Sequence, residues 1–210
     1  MSTMAAGQDP RDTHDGSTSR LSLICQGASP ATRAAAFPDD GPLEEKTLAA
    51  LRGMPAVGRH RARAWVSPMQ AARQTAEALA LAIDEDRDLR DPDYGRWAGR
   101  TLAAVVEDEP AMLAQWLADP QFSGHGGESL DLLLERARKW LGRRGRSSRR
   151  TIAVTNAAVV RAMVVEVLGA PVQAFWRIDI APLTVTELRH DGRRWTLRCC
   201  GRPLEGAPVD

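Results

Sequence analysis

Cysteine is scarce in these 210 residues: Cys25 and the adjacent pair Cys199 and Cys200 are the only three. An odd count without paired spacing argues against a disulfide framework, and no Cys-x-x-Cys points to a thiolate metal site. No metal and no cofactor are expected. Long apolar runs are missing as well: nothing approaches the ~20 residues of a membrane span. The first twenty residues are polar and lack the apolar centre of a secretory signal, so a cytoplasmic protein without membrane contact is expected. Charge of one sign is also lacking. Lys and Arg number 28 against 27 Asp and Glu, a formal net charge of +1, which gives no reason to expect a nucleic-acid partner. Lysine itself is almost absent, with Lys46 and Lys139 alone, while Arg and Ala abound. That bias is associated with high-GC bacterial genomes.

One basic concentration stands out against the balanced total. Arg136 to Arg150 is dense in Arg and ends in Arg143-Arg-Gly-Arg-Ser-Ser-Arg-Arg150. It reads either as an anion-binding patch or as a solvated helix end. The lack of interleaved aromatics, and the fit of cations to a helix C-terminus, favour the second.

The length suits one well-buried α/β domain. Residues 1–19 carry Gly, Ser, Thr and Asp without apolar periodicity and read as a disordered tail; 20–204 form one domain and 205–210 a flexible end. Leu21 to Cys25 reads as a strand, Glu44 to Arg52 as a helix and Arg63 to Ser67 as a second strand. Pro68 opens a helix running to about Ile83, since Pro is tolerated in a first turn. Asp91 to Gly99 is turn-rich, and Leu102 to Asp119 gives short helices interrupted at Pro110. After the Gly124–Gly127 segment, Glu128 opens a long amphipathic helix through Trp140. Ile152 to Thr155 is a buried strand and Val159 to Leu168 a helix ended by Gly169 and Pro171. Thr184 to Leu188 and Arg194 to Cys199 alternate around Asp191-Gly192 as a terminal hairpin. Strands alternating with helices predict a three-layer α/β/α sandwich around a mainly parallel sheet.

Five segments carry a resemblance in order. Leu21-Ser-Leu-Ile-Cys-Gln-Gly stands where the histidine phosphatase (phosphoglycerate mutase-like) family has its first strand and Arg-His-Gly motif. Ser67-Pro-Met-Gln-Ala-Ala-Arg-Gln-Thr-Ala76 resembles that family's Ser-Pro-x-x-Arg-Ala-x-x-Thr-Ala. Leu89-Arg-Asp-Pro-Asp-Tyr-Gly-Arg-Trp-Ala-Gly99 is similar to its acid-bearing loop, and Gly126-Gly-Glu-Ser129 to its Gly-Glu-Ser motif. Thr151-Ile-Ala-Val-Thr-Asn-Ala-Ala158 resembles the strand and turn that carry its second histidine. The resemblance runs from Leu21 to about Arg202 and implies the phosphoglycerate mutase-like fold.

It also implies a missing reaction. In the family a histidine attacks phosphorus while a second histidine and two arginines hold the phosphate, because a dianion needs several fixed positive donors. Carried over, the first Arg position is Cys25, the nucleophile position Gln26, the second Arg position Ala71 and the second His position Asn156. Neither amide can act as the nucleophile, although both can hydrogen-bond a neutral ligand. Asp91 stands at the proton-donor position.

The expected cleft therefore keeps Asp91 and Glu128 without the cations, and a phosphate dianion beside unpaired carboxylates is costly. Asp91 and Glu128 are the candidate catalytic pair. Cys25, Gln26, Ser29, Tyr94, His125, Ser129, Asn156 and Ala157 are the candidate ligand-binding residues. Cys25 as a replacement nucleophile would need a thiolate-stabilising loop that the sequence does not show. His125 between glycines is an alternative base or a solvated loop histidine; His14, His60 and His190 lie in no matched segment. Three readings follow. One is a repurposed enzyme performing cyclisation, dehydration, isomerisation or hydrolysis of a neutral or cationic, non-phosphorylated metabolite, as in bacterial specialised biosynthesis. Another is a binding pseudoenzyme. The third is a residual phosphatase using Cys25, His125 or Arg161. A small-molecule partner is expected, and a homodimer stays open.

Overall fold

The computed structural model describes residues 18–54, 63–145 and 150–205. Six strands form one sheet: β1 (Ser19–Cys25), β2 (Arg63–Val66), β3 (Ala82–Glu85), β4 (Arg150–Thr155), β5 (Thr184–His190) and β6 (Trp195–Pro203). Their order is β3-β2-β4-β1-β5-β6. The pairs from β3 to β1 are parallel, while β1–β5 and β5–β6 are antiparallel. The sheet is therefore mixed, with the expected parallel part extended by the C-terminal hairpin.

The helices are α1 (Pro30–Arg33), α2 (Glu45–Arg52), α3 (Gln70–Ala78), α4 (Leu102–Asp108), α5 (Pro110–Ala118), α6 (Leu130–Arg144) and α7 (Ala157–Leu168). Successive strand residues point to opposite faces, and both faces of β1 are buried. Leu21, Leu23 and Cys25 pack with Trp140 of α6 and Met163 of α7, whereas Ile24 packs with Leu51 of α2 and Ala72 of α3. This is the α/β/α layering that a near-continuous apolar strand requires. A third, aromatic cluster of Phe37, Trp97, Val105 and Leu113 sits over the end of the sheet where β1 and β4 finish.

Several boundaries differ from expectation. Ser19, assigned to the tail, is 2% exposed and opens β1; the rest of that expectation, at residues 1–17, lies outside the described residues, as do residues 206–210. The helix expected to reach Ile83 stops at Ala78, and Ala80 adopts a left-handed φ of 55° before β3 begins. Glu128 does not open α6; Ser129 caps it by accepting from the Leu132 N–H. Of the Arg-rich run, residues 146–149 lie outside the description. Arg143 pairs with Asp88 at 2.6 Å, and Arg144 pairs with Asp86 at 3.1 Å while stacking 3.7 Å over the Trp65 ring. Those two cations serve the helix end and its neighbours.

Candidate functional site

The parallel strands β1 and β4 end side by side, with Cys25 opposite Thr155 and the Gln26 N–H donating to the Thr155 carbonyl at 2.7 Å. Ligand sites in open α/β sheets lie outside such carboxyl ends. A cleft of about 420 Å³ opens there, lined by Cys25, Gln26, Gly27, Tyr94, Asn156, Ala157 and Arg161, with Asp91 and the Asp179–Pro182 stretch completing it. Ser29 and Ala71 line a narrow neighbouring space that shares Gln26 and Asp91.

Each side chain is positioned by its element. Asn156 is the N-cap of α7: its Oδ1 accepts from the Val159 N–H at 3.0 Å, which fixes its orientation. Residues 157, 158 and 161 share one face of that helix, so Ala157, Ala158 and Arg161 all reach the cleft. Behind Gln26, Leu183 is held at φ 55°, and its N–H meets the carbonyls of both Cys25 and Gln26 at 3.2 and 3.4 Å. A leucine in the left-handed region is strained, and here that conformation is held while its N–H anchors the first motif.

Asp91 is held from below. The Thr155 hydroxyl donates to the Leu89 carbonyl at 2.7 Å, and Arg136 donates to the carbonyls of Asp88 and Arg90 at 2.8 and 3.0 Å. These bonds fix the loop while leaving the Asp91 carboxyl 7% exposed. Burial pushes its titration up to about 7, partly opposed by Arg136 and reinforced by Glu128. Burial, with a further contribution from Asp91, pushes the Cys25 thiol up to about 12. Tyr94 is also raised well above its usual value, chiefly by burial. Cys25 and Tyr94 therefore stay protonated near neutrality, while Asp91 is divided between its two forms there.

Gln26 Oε1, Asn156 Nδ2 and Arg161 Nε are closed off from solvent without a partner among the described residues, and all three belong to residues of this one cleft. Buried polar groups are ordinarily paired, so the concentration marks the site independently of any motif. Arg161 makes one long ion pair, 3.7 Å, to the exposed Asp179. The sequence placed Arg161 only in the residual-phosphatase reading and did not assign Asp179 to the cleft; their positions follow from helix phase and from the loop after α7.

Three expected site residues lie elsewhere. Glu128 is not in the cleft: Arg136 Nη2 and Nε donate to its two oxygens at 2.6 and 2.9 Å, and both side chains are 8% exposed. Its charge is spent on the loop clip, so it is no second free carboxylate. Ser129 is the α6 cap. His125 does not stand at a solvated rim. It is 1% exposed, packed against Trp97 and Phe122, with Nδ1 accepting from the Gly127 N–H at 2.9 Å. Among the described residues no cluster of three or more His, Cys, Asp or Glu side chains is arranged to hold a metal.

The profile of the histidine phosphatase superfamily (branch 1) matches residues 30–202. The chain belongs to the histidine phosphatase superfamily. A bifunctional protein of Mycobacterium tuberculosis is 33% identical over 134 residues, 60% of this chain and 37% of that protein. Phosphoserine phosphatase 1 of Hydrogenobacter thermophilus is 25% identical over 126 residues, 59% of this chain and 60% of that protein. The matches thus span less than two thirds of these relatives' lengths. Among solved structures, a mycobacterial glucosyl-3-phosphoglycerate phosphatase bound to VO3 superposes with a TM-score of 0.73 at 22% identity, covering 87% of this chain and 98% of that one. The α-ribazole phosphatase of Shigella flexneri gives 0.73 at 17% identity, covering 91% and 99%. At such identities the shared feature is the superfamily's fold.

Proposed function

We propose that this superfamily member is not a phosphatase and that its cleft carries out acid–base chemistry on a neutral or cationic, non-phosphorylated metabolite. Asp91 transfers the proton. The observation that carries the reading is the composition of the cleft floor. At the positions that the family resemblance gives to the nucleophile and second histidine, Gln26 and Asn156 line the cavity beside a buried Asp91 that titrates at about 7. A general acid or base works best with a pKa near the working pH, and among the described residues no imidazole lines this cavity to attack phosphorus. The Cys25 thiol, pushed to about 12, is a poor nucleophile at pH 7. Among the described residues Arg161 is the one arginine that lines the cleft, against the two arginines that the family's phosphate site uses.

A second reading, ligand binding without turnover, is favoured by one observation: Glu128 is committed to Arg136, so the carboxylate expected to share a proton cycle with Asp91 is not available to it. The two readings part at Asp91→Asn, which abolishes turnover under the first and leaves output intact under the second.

The test against phosphatase activity is direct. Purified protein with p-nitrophenyl phosphate or 3-phosphoglycerate should show no turnover and no acid-labile phosphohistidine, and phosphate or vanadate should not raise its melting temperature. Turnover near the ordinary enzyme scale of about 1 per second, or stabilisation by vanadate, overturns the proposal.

A further inference from the structure

The unpaired atoms of the cleft form a pattern that narrows the substrate class, an inference resting on the non-phosphatase reading above. Gln26 and Asn156 each follow a strand end, and the paired ends Cys25 and Thr155 set them side by side. The cap to Val159 occupies Asn156 Oδ1, so what Asn156 has left is the donor Nδ2. Gln26 has an acceptor left, Oε1. Ala157 and Ala158 bring the first turn of the twelve-residue helix α7 to the same wall, and amides of a first turn lack partners within their helix. The wall therefore offers donors for an oxygen, with one acceptor for an N–H beside them.

We propose that the cleft binds an uncharged amide edge: a lactam, a cyclic urea or a primary carboxamide. The carbonyl oxygen receives Asn156 Nδ2, and the neighbouring N–H donates to Gln26 Oε1. Such a ligand pairs two buried groups whose isolation otherwise carries a desolvation penalty. Phosphates and carboxylates bring acceptor oxygens alone and leave Gln26 Oε1 without a donor. Esters and N-alkylated amides leave Gln26 unpaired. A site built to pair an N–H strongly rejects the analogue that lacks it, and the cleft volume suits a small molecule.

The test is a ligand-observed NMR titration of the full chain with 2-piperidone, N-methyl-2-piperidone and δ-valerolactone, with orthovanadate run in parallel. We expect 2-piperidone to bind, and the two analogues without an N–H to bind at least tenfold more weakly. Asn156→Ser retains an N-cap of comparable quality without adding a charge, so it should keep the melting temperature while weakening 2-piperidone at least tenfold. Gln26→Met should weaken it similarly. Equal affinity for the N-methyl compound, no binding of 2-piperidone, or full binding by a folded Asn156→Ser protein overturns the amide assignment. Vanadate separates the two levels: if it binds, the non-phosphatase reading falls as well; if it does not, a negative lactam result removes the amide assignment alone.

Discussion

Burying a carboxyl away from hydrogen-bond donors makes its protonated form the cheaper one, and Asp91 illustrates the consequence for stability. Its ordinary value of 3.8 rises to about 7 in the fold, so between those values the native state holds a proton that the unfolded chain has released. Stability from this group is complete below about pH 4 and is lost as pH rises through 7. Asp91→Asn should therefore stabilise the protein at pH 8, by at most about 4 kcal/mol, with the gain vanishing near pH 4. Melting curves across that range check it, and a pH-independent effect would refute the assignment. At the same residue scale, Cys25 should resist iodoacetamide in the native protein at pH 8, because its thiol titrates near 12. The exposed Cys200 should react; mass spectrometry of peptides distinguishes them. Here the sequence was a partial guide. Strand ends and motif order pointed to Cys25, Gln26, Asp91 and Asn156 as neighbours. Motif order carried no information on side-chain partners, so Glu128 and His125 were assigned to a cleft they do not enter.

Two loops cross beneath the cleft, and their crossing depends on glycine. A Cβ on Gly127 would overlap the Asp93 carbonyl, and one on Gly95, at φ 52°, would overlap the His125 carbonyl. The Glu128 N–H donates to that same Asp93 carbonyl at 2.7 Å. Gly127→Ala should therefore cost more than about 2 kcal/mol, through strain at a close backbone approach. Gly142, inside α6 with open space where its Cβ would sit, is the control: Gly142→Ala should stabilise by roughly 0.5–1 kcal/mol. Urea melts of both variants give the comparison. The Arg136 clip is the other device at this scale. Arg136→Met strands a buried Glu128 charge and should cost about 3–5 kcal/mol, whereas adding Glu128→Gln should return part of the loss. The element the sequence hid was β3. Leu79-Ala-Leu-Ala-Ile83 is apolar and free of Gly and Pro, so nothing in it announces the turn at Ala80, which tertiary packing imposes. The short helical turns at Arg87–Leu89 and Val172–Arg177 were hidden for the same reason.

Over the whole molecule, two buried titrating groups set opposing slopes. Burial lowers the titration of His125 from its usual 6.5, so its contribution to stability is present above that value and declines as pH falls. Below pH 6.5 this slope opposes that of Asp91, and the native protein should show a flatter acid profile than Asp91→Asn. The overall layering was legible because β1 and β4 are short apolar runs between helical segments, a pattern that demands cover on both faces. The mixed character of the sheet depended on where the hairpin docks: β5 lies against β1, from Ser19 opposite His190 to Ile24 opposite Val185. Pairing of that kind is long-range, and sequence periodicity does not encode it.

That docking has a consequence for how the protein is made. The cleft takes Cys25 from near one end of the chain and the Asp179–Pro182 stretch from near the other, and Leu183, which grips Cys25 and Gln26, is itself held by the Leu204 N–H at 2.8 Å. Synthesis runs from the N-terminus, so a ribosome must release almost the entire domain before this pocket has its last wall. A nascent chain that holds β5 but not yet β6 leaves the outer flank of β5 open, an unpaired edge that can recruit other strands. Ligands of the finished cleft would therefore find their site only once the strands at both ends of the domain have come together.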